Sequence, residues 1–555
     1  MRWPLAFVGG LGETAVHDGP FLQRRRWKEP RQHKEEPAVS EYAHAPDPEA
    51  RFDAARDRLE QMIAAAREHS ASGDWSADAA ERAVVAGGRT LELHVLQGFH
   101  DARATAELHA RTAGHFAAPV DAGGVQHGRI EPDHARRLST TVGCVTVRRL
   151  AFRAPQRENL YPADAELNLP AGLHSHEVAK MAAIESARGS FADAADALAR
   201  RCGASVAAPQ AVRAMAIAAA RDFDGFYDHT APMMSSDGTL LVLSVDGKGI
   251  VMRPADLREA TRKKAERDCA AGRLGDDGHA GRKSMATIGA VYDAEPAPRR
   301  PHDIITLAKA GKRKHKKKAK KKDRKKRPGP KAVRKWLTAS VAANAADVIK
   351  AVFDQAEARD PEHRRTWVVL ADGAVAQIDA IRAEAAKRNA PIRLVIDIIH
   401  VLQYLHVAAR VLHSNGNADT AVAEWALTVL NGRSADVADH LADAADARHD
   451  SEDRKKIGET VTYLRNKHDY LCYDTALAAG WPIATGIVEG AARHLIADRL
   501  DITGARWSLA GAEAVLKLRA LISNGDLETY WRYHVKQEHQ RNHIARYQRQ
   551  YQLTA

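Results

Sequence analysis

Four acidic residues stand where an apolar run gives out. Asp246 follows Leu240-Leu241-Val242-Leu243-Ser244-Val245 and precedes Gly247-Lys248-Gly249. Asp372 follows Trp367-Val368-Val369-Leu370-Ala371 and precedes Gly373, and Asp397 follows a third run and opens Asp397-Ile398-Ile399-His400. Glu489 comes after Gly486-Ile487-Val488 at the start of a helical stretch. One strand-end aspartate is ordinary turn chemistry, since Asp-Gly is a strong hairpin signal, and a glutamate at a helix start is favoured by the helix dipole. Three strand-end aspartates with a helix-start glutamate form a pattern. Convergent carboxylates suit Mg²⁺ or Mn²⁺, hard cations that prefer oxygen. Two such ions about 3.5–4 Å apart activate an attacking oxygen and stabilise the leaving oxygen of a phosphodiester. Paired carboxylates also serve glycoside hydrolysis, but nothing else in the chain suits a neutral sugar. The only HxH pair, His174 and His176, reads as loop histidines rather than metal ligands. Cys144, Cys202, Cys269 and Cys472 are too scattered for a zinc site or a disulfide framework.

These acids need a scaffold, and the flanking periodicity predicts one. Residues 239–252 read as a buried strand that pauses at Asp246-Gly247 and resumes. Residues 285–292, 366–373 and 392–400 read as further strands, with helices over 336–358, 377–388 and 401–412. Strand alternating with helix predicts parallel strands with right-handed crossovers and ligands at their carboxyl ends. Residues 415–480 read as an all-helical insertion and 481–540 as the segment that completes the core with Glu489. Upstream, 1–50 reads as a disordered tail. Residues 51–170 form a helical N-terminal region, with a glycine-rich break over 113–128, a strand or hairpin over 140–152 and a proline-bearing loop over 160–173. Within 171–232 three helices are expected, the middle one stopping at a left-handed Gly203. The glycine turn between the last two gives a helix-turn-helix layout that ordinary three-helix bundles share. The core begins at 233, carries a basic insertion over 301–335 and pauses at 414, and 541–555 reads as a tail.

Charge separates this chain from a sugar-processing enzyme. Lys and Arg number 83 against 71 Asp and Glu, a net +12. Residues 312–327 read KRKHKKKAKKKDRKKR, with 13 basic residues and one acid, so this segment alone carries the whole excess. Such a run cannot pack a core, and on a balanced body it suits a polyanion held by counterion release. It supplies affinity rather than sequence choice. Expected DNA contacts are Lys312, Arg313, Lys316, Lys320, Arg324 and Lys326 from the run, Arg213 and Arg221 from the helix-turn-helix, and Arg493, Arg499, Arg506 and Trp507 from the late block. No run is long and apolar enough for a membrane span, and residues 4–10 are too short for a convincing signal peptide. A cytoplasmic, nucleoid-associated protein is the expectation.

The segments SVDGKGIVMRP at 244–254, the Asp-Gly strand at 367–373, DIIH at 397–400 and ATGIVEGAARHLIADRLDITGARW at 484–507 together resemble the ISKra-type family of bacterial insertion-sequence transposases. The resemblance spans about residues 50–540. It implies the α/β, ribonuclease H-like core of DDE transposases, with Asp246, Asp372 and Glu489 as catalytic, metal-holding acids. It implies two Mg²⁺ or Mn²⁺ ions, double-stranded DNA as substrate, cleavage and strand transfer at element ends, and a homodimer or higher assembly on DNA. Asp397 and His400 look like the (C/D)xxH motif of Mutator-like transposases and take a supporting role. Asp397 as second catalytic aspartate and Glu513 as reserve glutamate are the alternatives. A relic DNA-binding regulator and a nuclease of the same fold without joining activity are the competing readings.

Overall fold

The computed structural model describes residues 48–114, 117–232, 234–273, 283–306, 326–413, 417–502 and 504–548. All of them lie in one unit, Pro48–Ala555. The expected tail over 1–50 falls almost wholly outside the described residues, as do Lys312, Arg313, Lys316, Lys320 and Arg324 of the basic run.

Two helices, Asp53–Ser72 and Ala77–Thr112, open the described chain. They precede a two-stranded antiparallel hairpin of β1 (Arg129–Thr140) and β2 (Gly143–Arg153). The sequence marks only β2, because β1 is polar (RIEPDHARRLST) and its pairing, not its propensity, makes it a strand. Gln97 ties the hairpin to the second helix, donating to the Thr146 carbonyl at 2.9 Å and accepting from the Thr146 amide at 2.8 Å. The proline-bearing stretch expected as loop contains the short helix Pro162–Glu166.

The centre of the fold is a five-stranded mixed sheet. Its strands are β3 (Leu240–Val251), β4 (Lys283–Ala294), β5 (Ala332–Ser340), β6 (Trp367–Ala371) and β7 (Ile392–Ile396), in spatial order β5-β4-β3-β6-β7. β4 runs antiparallel to both β3 and β5, and β6 and β7 run parallel to β3. Alternation along β3 feeds two cores. Leu241, Leu243 and Val245 pack with Ile349, Phe353 and Ile381, while Leu240 and Val242 pack with Val368, Leu370, Val401 and Leu405. A strand buried on both faces reads as a nearly continuous apolar run, which is how 240–245 reads.

Two expectations need correction. β3 does not pause at Asp246-Gly247: Asp246 pairs with Ile288 and Gly247 with Thr287, so the ladder runs straight through. Residues 336–340, expected as the start of a helix, belong to β5, and the helix is Ala345–Arg359. A short Ala-rich apolar run fits either element. The boundary is set at Asn344, whose side chain accepts from the Asp347 amide at 2.9 Å while Asp347 accepts from the Asn344 amide at 3.3 Å.

Four helices, Ala418–Leu430, Ser434–Asp446, Ser451–Asn466 and Tyr473–Ala478, fill the segment expected to be helical. Their Val429, Leu441, Ile457 and Leu464 join the core on the Leu240 face of the sheet. Residues 171–232 hold four helices rather than three: His176–Arg188, Phe191–Cys202, Pro209–Ala219 and Phe223–His229. Gly203 is left-handed at φ 72°, as expected. Residues 541–548, expected as tail, finish the Leu527–Asn542 helix and pack back on the chain, where buried His543 bonds the Leu169 carbonyl at 2.8 Å. No described helix is long and apolar enough to cross a membrane.

Candidate active site

The sheet register brings the aspartates together. The last β3–β6 pair is Ser244 with Leu370, and the last β6–β7 pair is Ala371 with Ile396. Asp246, Asp372 and Asp397 therefore lie one or two residues beyond the ends of these parallel ladders. Period-two alternation puts Asp246 on the Leu240–Val242 face and Asp372 on the matching Val368–Leu370 face, which share one core. β3 is flanked by antiparallel β4 on one side and parallel β6 on the other. The strand order reverses there, and ligands in open α/β sheets bind at such a point.

Each acid is held differently. Asp246 accepts from the Gly247 amide at 2.7 Å, and Asp372 accepts from the Ala374 amide at 2.8 Å. Gln377 bridges their strands, accepting from the Asp372 amide and donating to the Val245 carbonyl, both at 3.3 Å. Gly373 sits at φ 97°, where an added Cβ would come 3.0 Å from the Tyr463 hydroxyl. Asp397 is fully buried and caps the Ile398–Leu412 helix. It accepts from the Ile399 amide at 2.8 Å, the Thr485 amide at 3.0 Å and the Thr485 hydroxyl. Asp397 thus clasps the segment that leads into the Gly486–Ala491 helix, and the Glu489 amide in turn donates to the Thr485 carbonyl at 2.9 Å. Beyond Glu489 the helix widens into a π-helical stretch over Ala492–Ala497. Such insertions are frequent at functional sites.

The acids sense one another's charge. Burial pushes the Asp246 carboxyl above the ordinary carboxylate range; Asp372 and Asp397 push the same way, against the Gly247 amide and His400. Burial also raises Glu489, with Asp397 and Asp246 adding and His400 opposing. His400 holds Gln403 at 3.2 Å on the exposed side.

An oxygen-only set of mutually repelling carboxylates fits a hard divalent cation. Among the described residues, the group whose ligand atoms all lie within 4.8 Å is instead Asp222, His534 and Glu538. The acids around Asp246 are more widely spread, wider than one ion with oxygens at about 2.1 Å would hold them. At the Asp222 group a cation is already present: Arg541 pairs with Asp222 at 2.6 Å and with Glu538 at 2.5 Å. A cleft of about 910 Å³ opens beside the Asp372 loop, lined by Val375, Tyr404, Tyr463, Lys455 and Lys467. Tyr404 and Tyr463 stack at 3.9 Å, and the Tyr463 hydroxyl lies 3.5 Å from the Asp372 carbonyl.

Several expected DNA contacts turn out to be internal. Arg499 is buried, donates to the Ser186 carbonyl at 3.2 Å and stacks on Trp507 at 4.5 Å. Removal from water pulls its guanidinium down to about 10. Trp507 is buried too; its amide donates to Val251 at 3.1 Å and its indole N–H to Leu500 at 3.1 Å. These two residues close the late block onto the end of β3 and offer nothing to a ligand. Arg213 donates to Ser508 at 2.8 Å, and its helix packs against His176–Arg188, Phe191–Cys202 and Leu509–Asn524, leaving no broad free face. Arg221 lies just past that helix, half-exposed, 3.5 Å from Glu538. Arg493, Arg506 and Lys326 are exposed.

Glu513, the reserve glutamate, is fully engaged at the end of β5, accepting from Ser340 at 2.9 Å and from the Val341 and Ala342 amides at 3.0 and 3.1 Å. His176 bonds the Asn168 carbonyl at 3.0 Å, an ordinary loop-holding role. Sequence reasoning missed Thr485, Gln377 and Tyr463. Only Thr485 carried a signal, four residues before Glu489 in the block that opens that helix. The chain matches no family model and no curated protein.

Proposed function

We propose that this chain is a DDE-type transposase that cuts and joins DNA by metal-dependent phosphoryl transfer. One observation carries the reading: Asp246, within β3 just past the end of its pairing with β6, stands with Asp372 and Asp397 just past the ends of β6 and β7, and burial and the negative charge of neighbouring acids raise Asp246 and Glu489. An antiparallel β5-β4-β3 set extended by parallel β6 and β7 supports a ribonuclease H-like core. Asp246, Asp372 and Glu489 would hold Mg²⁺ or Mn²⁺, which supplies charge neutralisation at the reacting phosphate. Asp397 is a positioning residue, because its oxygens are spent on Ile399 and Thr485. His400 tempers the negative charge on Asp246 and Glu489. Exposed Arg493 and Arg506, with the basic run at 312–327, hold backbone phosphates. Joining two element ends calls for at least two copies on DNA.

The test is cleavage and joining of labelled DNA carrying the flanking element ends, with Mg²⁺ and with EDTA, for wild type and Glu489→Gln. Metal-dependent cutting at the ends, lost in the variant, is the expected result. Binding without cutting would favour a relic regulator, and cutting of unrelated DNA without joining would favour a plain nuclease.

A further inference from the structure

A separate cavity lies between the β1–β2 hairpin, the Pro162–Glu166 helix and the end of the Leu527–Asn542 helix. It encloses about 440 Å³, and none of the acids described above lines it. Arg136, Arg149, Arg541 and Arg546 line it, with Asp164 as the acid. The arginines differ in their commitments. Arg541 is spent on Asp222 and Glu538. Arg136 donates to the Pro170 carbonyl at 2.8 Å and to Gly172. Arg546 reaches Glu158 at 2.6 Å, an acid 86% exposed and readily exchanged.

Arg149 is the unusual one. Its side chain is only 10% exposed and its guanidinium lies 4.2 Å over the Tyr161 ring. Its Nε is 3.2 Å from Asp164, and its Nη1 is buried with no acceptor. Arg136 also looks to Asp164, at 3.8 Å, so two permanent cations share one carboxylate. A buried donor without an acceptor costs about 1–3 kcal/mol, more when charged. An anionic ligand recovers that cost, and a guanidinium fork matches phosphate in shape. The volume exceeds a phosphate group, and Tyr161, Leu169, Pro170 and Tyr547 wall the remainder. That remainder suits a nucleoside-sized group.

We propose that this cavity binds a phosphate monoester carried on a nucleoside, with Arg149 gripping the phosphate and Arg136 and Arg546 flanking it. The ligand is either a free nucleotide or the 5′-phosphorylated end of a DNA strand, which present the same group. The site stands apart from the acid cluster and does not depend on the reading of that cluster.

Calorimetric titration of the full chain tests it. The probes are AMP, inorganic phosphate, and one oligonucleotide with a 5′-phosphate or a 5′-hydroxyl. The proteins are wild type, Arg149→Lys, Arg149→Met and Arg149→Met/Asp164→Asn, the last leaving no stranded carboxylate. Circular dichroism checks each fold. Wild type is expected to bind AMP and the phosphorylated strand, and inorganic phosphate more weakly. Affinity should fall by about ten- to a hundredfold in the double variant and by less in Arg149→Lys. Preference for the phosphorylated strand over both AMP and the hydroxyl strand identifies a DNA end; preference for AMP identifies a free nucleotide. No saturable binding of any phosphate probe to wild type overturns the proposal. So does unchanged affinity in a folded double variant.

Discussion

Thr485→Val removes one hydroxyl from the buried Asp397 carboxylate and leaves the side-chain volume nearly unchanged. Asp397 accepts three donors here: the Ile399 amide, the Thr485 amide and the Thr485 hydroxyl. A hydrogen bond to a charged group contributes about 1.5–3 kcal/mol. Its loss corresponds to a roughly 10- to 150-fold shift in a local opening equilibrium. The cost falls at the junction between the Ile398–Leu412 helix and the Glu489 helix, because Asp397 is the side chain that bonds both. Amide hydrogen exchange over residues 485–491 should therefore speed up by that factor, while exchange in β3 and β6 stays as in wild type. Metal-dependent cleavage should fall, and DNA binding should not. Thr485→Ser keeps the hydroxyl and should restore most of the protection. Unchanged exchange in Thr485→Val, or a serine variant as damaged as the valine one, would refute the clasp.

Asp246→Asn should abolish cleavage and yet raise thermal stability at neutral pH. Asp246 has a raised carboxyl in the folded chain, so its ionisation opposes folding. That penalty is absent below the ordinary carboxylate value of about 4 and complete above the raised one. The melting-temperature gain of the variant should therefore grow as pH rises through this window and vanish below it, and added Mg²⁺ should stabilise wild type more than the variant. Asp293→Asn should cost about 3–5 kcal/mol in denaturant unfolding, because it strands buried Arg365, now 2.6 Å from Asp293, beside Arg334 and Arg359. Deleting residues 312–327 should weaken binding to all DNA sequences alike and flatten the salt dependence, measured by titration at several ionic strengths.

The acids were legible because their sequence context and their physics coincide. An apolar run ending in Asp-Gly marks a strand whose last residue escapes the core, and Asp372 sits where that logic puts it; Asp397 also ends its strand, but it opens a helix with Ile398 and is fully buried. Asp246 is exposed to the site by something other than a turn. Its glycine suggests a turn, but β4 pairs straight past it, and what frees Asp246 is that β6 stops at Ala371. β5 was illegible because Trp336-Leu337-Thr338-Ala339-Ser340 lacks a decisive period and becomes a strand only by pairing with β4. Arg499 and Trp507 read as surface contacts because local sequence does not say which way a long side chain turns. In the fold they stack on each other under the late block. The Arg149 cavity had no sequence signal, since its wall comes from residues as far apart as Arg136 and Tyr547.

The bond between Asp397 and Thr485 spans 88 residues of sequence, and that spacing sets a timetable. The sheet is complete once β7 has emerged from the ribosome, but Glu489 and its anchor are still unmade. At about 5–20 residues per second, the intervening helices take roughly 5–20 s to synthesise. A nascent chain or one truncated in the helical segment carries only three of the four acids and lacks the Thr485 clasp. The helical segment between the third and fourth acids therefore acts as a delay: under the proposed function, competence to cut DNA would arrive only when nearly all of the chain has been made.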